Sequence, residues 1–182
     1  MKFPIKSLAL SALLYVGYQY GVTLLAALIA TIPSIVVASV TGDIFIRVLT
    51  VFIAETVLIM IGLFVLFYND GYRRNVSYDK SNKFTGFIIS LICSYVIYYL
   101  LGVLTKFFFI FSTDGLGFLL MGVDNVRSLP LGEQAVVPFG DSTLAFLILL
   151  VPVAVLSVLG FKIGHAKRQK DRAKMTQNKV IT

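Results

Sequence analysis

Apolar residues occur in four long uninterrupted runs along the chain. Residues 7–40 and 142–161 contain no charged side chain, residues 48–67 contain only Glu55, and residues 84–113 contain only Lys106. A helix needs roughly 20 apolar residues to cross the hydrocarbon layer of a bilayer, and each run reaches that length. The pattern predicts an all-α polytopic membrane protein, an antiparallel bundle of four transmembrane helices.

The runs and the breaks between them divide a single membrane domain, residues 1–182. We expect helices over about 7–31, 46–68, 85–111 and 143–161. The alternatives are continuation of the first helix to residue 40 past Pro33 and of the fourth into the basic tail. Gly42-Asp43 forms the first turn, and Asn69-Asp70-Gly71 ends the second helix with Gly71 at positive φ. The remaining segments are a short loop at 69–84, a long loop at 112–141 and a basic tail at 162–182.

Charge predicts the orientation. Of the 16 basic residues, 13 lie before the first run, between the second and third, or after the fourth. Retention of positive charge in the cytoplasm places both termini and the 69–84 loop there, in the plasma membrane. The opposite side carries Asp43 and the four acidic residues of 112–141. Basicity therefore reports topology, and we expect no nucleic-acid partner because no separate soluble domain remains to shape a groove.

Glu55 is the strongest candidate for a functional residue, since a carboxylate inside the hydrocarbon layer is costly unless it is protonated or paired. It lies 13 residues from Tyr68, or roughly 20 Å along a helix. By the same reckoning Gln19, Tyr98 and Tyr99 are expected near its level, and Lys106 about one and a half turns further out. Lys106 either pairs with Glu55 or extends outward toward Asp43 or Asp114. Two interpretations remain open: a proton or ion site, and a polar clasp that fixes helix packing.

Small residues mark candidate packing faces. Gly17 and Gly21 have the spacing that allows two helices to approach closely, and they lie nearly opposite Gln19 on a helical projection. The first helix therefore has two faces, one for the bundle and one that could meet another subunit; internal packing alone is the alternative. Gly62, Gly160 and Gly164 are further candidates.

The basic tail is a candidate contact for anionic lipid. Topology alone would also explain its charge. The residues assigned to this contact are Lys167, Arg168, Lys170, Arg172 and Lys174.

Signatures of enzymes, metals and cofactors are missing. His165 is the only histidine and Cys93 the only cysteine, which argues against histidine-based catalysis and cysteine metal clusters. The acidic residues of 112–141 match no known calcium loop. We therefore expect no catalytic residue, no metal and no cofactor. The leading hypothesis is a non-enzymatic membrane subunit with a protein partner or a second copy of itself; the alternative is a small oligomeric transporter or channel that uses Glu55.

Overall fold

The computed structural model describes residues 5–73, 83–105 and 142–181, and these residues form four α-helices. They are α1 (Ile5–Val40), α2 (Ile44–Arg73), α3 (Lys83–Thr105) and α4 (Ser142–Ile181). Each contains a stretch long and apolar enough to cross a membrane. The all-helical prediction is confirmed for these residues, and the four apolar helices are compatible with an integral membrane protein.

The described helices extend further than the shorter boundaries that we predicted. α1 continues through Pro33 to Val40, as the longer alternative expected. α2 continues through Asn69-Asp70-Gly71 to Arg73, so the predicted end at Tyr68 is wrong. α4 continues to Ile181, and the described part of the basic tail is therefore helical. The predictions for Lys106, for residues 74–82 and for the 112–141 loop lie outside the described residues.

A three-residue turn joins α1 to α2, at the predicted position. The amide of Thr41 donates to the carbonyl of Val37 at 2.9 Å and so completes the last turn of α1. The side-chain oxygen of Thr41 then accepts a hydrogen bond from the amide of Asp43 at 3.1 Å. Because the connection is so short, α2 folds back along α1: Tyr15 meets Phe67, and Val22 meets Gly62.

The most extensive contact between helices is that of α2 with α4. Glycine makes it possible, since a Cβ on Gly160 would lie 2.6 Å from the carbonyl oxygen of Phe64. A Cβ on Gly164 would meet the carbonyl of Tyr68, and one on Gly71 would meet that of Phe161. Phe64 and Tyr68 of α2 meet Gly160 and Gly164 of α4 in the same order along the chain, so α2 and α4 run in the same direction. Gly71 is thus a point of close helix approach within α2.

A cluster of four aromatic rings joins the helices, one ring from each. Tyr15 of α1 lies 5.0 Å from Phe67 of α2 and 5.8 Å from Phe87 of α3, measured between ring centroids. Phe87 in turn stacks on Phe161 of α4 at 3.9 Å, with the ring planes 7° apart. Offset and edge-to-face ring pairs contribute beyond their buried area. We call Tyr15, Phe67, Phe87 and Phe161 the four-ring cluster.

Polar and apolar side chains are distributed in a way that suits lipid. Of the residues that the structure describes, eight polar or charged ones are buried, while large aliphatic side chains cover the exterior of all four helices. In water this arrangement would be unfavourable, because apolar area gains free energy by leaving water and polar groups lose it by burial. The buried polar residues are Ser11, Gln19, Thr23, Glu55, Asp70, Ser90, Ser94 and Ser157.

Candidate functional site

A row of polar side chains crosses the interior from α1 through α3 to α4. The side-chain nitrogen of Gln19 donates to the hydroxyl of Ser94 at 3.1 Å, and the Gln19 side chain also lies within reach of Tyr95. The hydroxyl of Tyr95 lies 3.4 Å from that of Ser157 on α4. Gln19, Ser94 and Ser157 are fully buried. We call Gln19, Ser94, Tyr95 and Ser157 the polar row. Its hydrogen bonds connect α1, α3 and α4.

Two carboxylates tie the helices together nearer the basic end of the protein. The hydroxyl of Tyr15 donates to buried Asp70 at 2.8 Å, which joins α1 to α2. The hydroxyl of Tyr72 donates to Asp171 at 3.0 Å, which joins α2 to α4. Charge-assisted hydrogen bonds of this kind are roughly twice as strong as neutral ones. The interior polar groups therefore act first as connections between helices.

Glu55 lies on the buried side of α2 and is only 8% exposed. Phe52, Ile59 and Leu63 continue the same buried stripe at spacings of three and four residues. The stripe brings the carboxylate toward the interior, within the apolar part of α2. That position is costly for a charged group, so Glu55 remains the candidate for proton or ion chemistry.

Glu55 and Gln19 were expected at the same depth in the membrane, but the structure places them at different positions along the helix axes. Val22 contacts Gly62 and Tyr15 contacts Phe67, so Gln19 lies opposite the α2 segment between those contacts. Glu55 is seven residues beyond Gly62, or about 10 Å further along the helix axis. Counting from the predicted helix ends failed because α2 extends five residues past Tyr68 and because the ends of α1 and α2 are not level with each other.

The other residues proposed for this site are placed on α3. Tyr98 is fully buried, with its ring 4.6 Å from that of Tyr20. Tyr99 is half-buried and packs against the core. Lys106 lies outside the described residues, so its proposed pairing with Glu55 stays a prediction.

The glycines proposed as packing positions divide into two groups. Gly62, Gly160 and Gly164 contact neighbouring helices; a Cβ on Gly62 would lie 2.7 Å from Cγ1 of Val22. Gly17 and Gly21 are exposed, and within residues 5–73, 83–105 and 142–181 a Cβ at either would meet nothing within 4 Å. The two glycines continue a stripe of exposed leucines at spacings of three and four residues. We define this outer stripe as Leu10, Leu14, Gly17, Gly21, Leu24 and Leu28.

The basic residues proposed for lipid contact lie along the second half of α4. The ammonium of Lys167 lies 5.9 Å from the ring centre of Tyr68 and 6.0 Å from that of Tyr72, within the range of a cation–π contact. Arg168 is half-buried. Lys170, Arg172 and Lys174 are exposed. Lys167 therefore also contributes to the contact of α4 with α2.

Within residues 5–73, 83–105 and 142–181, no three His, Cys, Asp or Glu side chains are grouped so that they could hold a metal ion. Cys93 is exposed on α3. The arrangement of the described residues offers hydrogen bonds, apolar contact and two buried carboxylates, Glu55 and Asp70.

Sequence reasoning missed three of these features. Asp70 was interpreted as part of a helix end, although its spacing from Leu63 and Phe67 continues the buried stripe of α2. Ser94 gave no signal, because a lone serine in an apolar run is common. The pairing of Phe87 with Phe161 depends on tertiary packing between distant segments, which one sequence does not reveal.

Comparison with known proteins gives no relative: no family model, no curated protein and no solved structure matches the chain.

Proposed function

We propose that this protein is a non-enzymatic subunit of a larger complex in the plasma membrane, and that its outer stripe on α1 contacts a helix of another polypeptide. The fold would be an antiparallel four-helix bundle across the bilayer with both termini in the cytoplasm. One observation carries the proposal: Gly17 and Gly21 are exposed on α1, and no atom of the described residues lies within 4 Å of a Cβ at either position.

The outer stripe has the shape that a second helix can use. Lipid tails and leucine are similarly apolar, so exposed leucines alone do not drive association between helices in a membrane. Glycines four residues apart form a shallow depression in which another backbone can approach and gain packing contacts. Leu10, Leu14, Leu24 and Leu28 flank this depression at both ends.

The inner face of α1 supports the same proposal. Tyr15 bonds to Asp70 and Gln19 bonds to Ser94, so α1 is fixed to α2 and α3 by its opposite side. A partner that contacts the outer stripe would therefore meet a helix already held in place. Rigid presentation of a surface lowers the entropy cost of binding, which suits a scaffold or assembly subunit.

The sidedness of this subunit rests on charge. Basic side chains gather at the Arg73 end of α2 and the second half of α4, and the short turn at 41–43 lies at the other end of α2. Cysteine labelling of intact cells tests the orientation. In a Cys93→Ser background, Gly42→Cys should react with a membrane-impermeant maleimide from outside and Lys170→Cys should not. Labelling of both positions from the same side would contradict it.

Co-purification after mild detergent extraction tests the partner. The tagged wild-type chain should retain a second membrane polypeptide, and Gly21→Leu should lower its yield roughly tenfold by filling the depression. Ala27→Leu is the matched control, because Ala27 is exposed on α1 outside the outer stripe. A wild-type chain that retains nothing, or equal loss in both variants, would contradict the proposal. Retention of a differently tagged copy of this chain alone would make the complex a homo-oligomer.

Burial of Glu55 favours one second candidate, an oligomeric transporter or channel. Four helices seldom enclose a path, so this function needs more than one copy. Glu55→Gln keeps the size of the side chain and removes its charge. In proteoliposomes a carrier that depends on Glu55 should lose most of its proton or cation flux in this variant. Unchanged flux, or no flux from the wild type, would eliminate the candidate.

A further inference from the structure

A small cavity opens between the first turn of α3 and the middle of α4. It encloses about 90 Å³ and is lined by Phe84, Phe161, Lys162 and His165. Phe84 and Lys162 are exposed, so the cavity opens to the surroundings, whereas Phe161 is buried and forms its inner wall.

The cavity exists because α3 and α4 are held apart by large side chains. Phe87 and Phe161 stack between the two helices, and Tyr95 reaches Ser157 further along. The ring of His165 lies almost parallel to that of Phe161, with the centroids 6.4 Å apart. The ammonium of Lys162 lies 4.8 Å from the ring centre of Phe84, across the mouth.

The position of Lys162 along α4 sets the depth of this cavity in a bilayer. Residues 142–161 carry no charge, and Lys162 is the first charged side chain after them. About 20 apolar residues span the hydrocarbon layer, so Lys162 lies where acyl chains give way to headgroups. Lipid phosphates occupy that level, and a basic side chain there attracts anionic lipid.

We propose that this cavity binds the phosphate and glycerol region of an anionic phospholipid. The ammonium of Lys162 pairs with the phosphate, and a ring N–H of His165 donates a hydrogen bond to it. Phe84 and Phe161 contact the glycerol and the first methylene groups. The site is separate from the residues further along α4, since Lys167 lies over Tyr68 and Tyr72 of α2. It requires that the helices lie in lipid, and it does not depend on the protein partner proposed above.

Native mass spectrometry of the full chain in detergent tests this site with two added lipids, dioleoylphosphatidylglycerol and dioleoylphosphatidylcholine. The wild type should retain the anionic lipid preferentially. Lys162→Gln should weaken its retention about fivefold, while Lys162→Arg preserves it. Lys170→Gln is the matched control, because it removes the same charge from an exposed position two turns further along α4. It should change retention less than twofold.

A second variant tests the aromatic wall. Phe84→Leu keeps apolar bulk at an exposed position but removes the ring, and it should weaken retention of the anionic lipid two- to threefold. Circular dichroism should show unchanged helix content in every variant. Equal losses in Lys162→Gln and Lys170→Gln would overturn the site in favour of diffuse attraction by the basic helix. Equal retention of the two lipids, or displacement of the anionic lipid by millimolar inorganic phosphate, would also overturn it.

Discussion

Two pairs of glycines, each four residues apart, have opposite surroundings in this protein. Gly160 and Gly164 on α4 face the backbone of α2 so closely that a Cβ on either would collide with a carbonyl oxygen. Gly17 and Gly21 on α1 have the same spacing, but none of the helices that the structure describes comes within 4 Å of a Cβ at either. Glycines four residues apart therefore allow close approach of a second helix. The spacing alone does not determine whether that helix belongs to the same chain.

The largest effect is expected where the α4 pair is filled. Gly164→Leu would force the carbonyl of Tyr68 away and separate α2 from α4, at a cost of about 3 kcal/mol or more. We expect the apparent Tm in detergent to fall by about 10 °C, measured by size-exclusion chromatography of heated samples. A shift below 2 °C would show that the α2–α4 contact is looser than described.

The inner face of α1 should be the next most sensitive. Tyr15→Phe removes the hydroxyl that donates to buried Asp70 and should cost about 2 kcal/mol, because hydrogen bonds to charged groups are stronger than neutral ones. Leu28→Ala, on the outer stripe of the same helix, should change stability little. Thermal unfolding of the two variants side by side checks this contrast. Equal losses of stability would contradict the expected difference between the inner and outer faces of α1.

The polar row should contribute less. Gln19→Leu keeps a similar volume and removes the bond to Ser94, at an expected cost of about 1 kcal/mol. A double-mutant cycle with Ser94→Ala measures the coupling between the two side chains, expected near 0.6 kcal/mol. A coupling of zero would mean that the row fills space without joining α1 to α3.

The smallest effect on stability is expected at the open glycine pair. Gly17→Leu and Gly21→Leu should each change the free energy of unfolding by less than about 0.5 kcal/mol, since both positions have room for a side chain. Chemical or thermal unfolding of the purified chain provides the measurement. A loss comparable to that of Gly164→Leu would mean that α1 uses these glycines inside the protein.

The number and type of the helices that the structure describes were predictable, because apolar runs of 20 residues or more have few alternatives in a bilayer. The ends of the helices were less predictable. Asn69-Asp70-Gly71 has the composition of a helix end, but α2 continues to Arg73, and Gly71 packs against α4. At this helix end, tertiary packing outweighs the local preference of the sequence.

For the candidate site, periodicity correctly separated the two faces of α1, since buried Gln19 and exposed Gly17 and Gly21 lie on opposite sides. It could not supply the register between helices. The later end of α2 and the offset between the ends of α1 and α2 place Gln19 more than about 10 Å from the level of Glu55. Hydrogen bonds such as that of Tyr15 with Asp70, 55 residues apart, depend on that register.

Photo-crosslinking in native membranes tests the central claim most directly. A photoreactive amino acid at Leu28, which lies on the outer stripe and is 67% exposed, is compared with one at Ile61, which is 56% exposed on α2. We predict a discrete protein adduct from Leu28, lost on introducing Gly21→Leu, and none from Ile61. No adduct from Leu28, or equal adducts from both positions, would contradict the claim that α1 presents a contact face to another polypeptide.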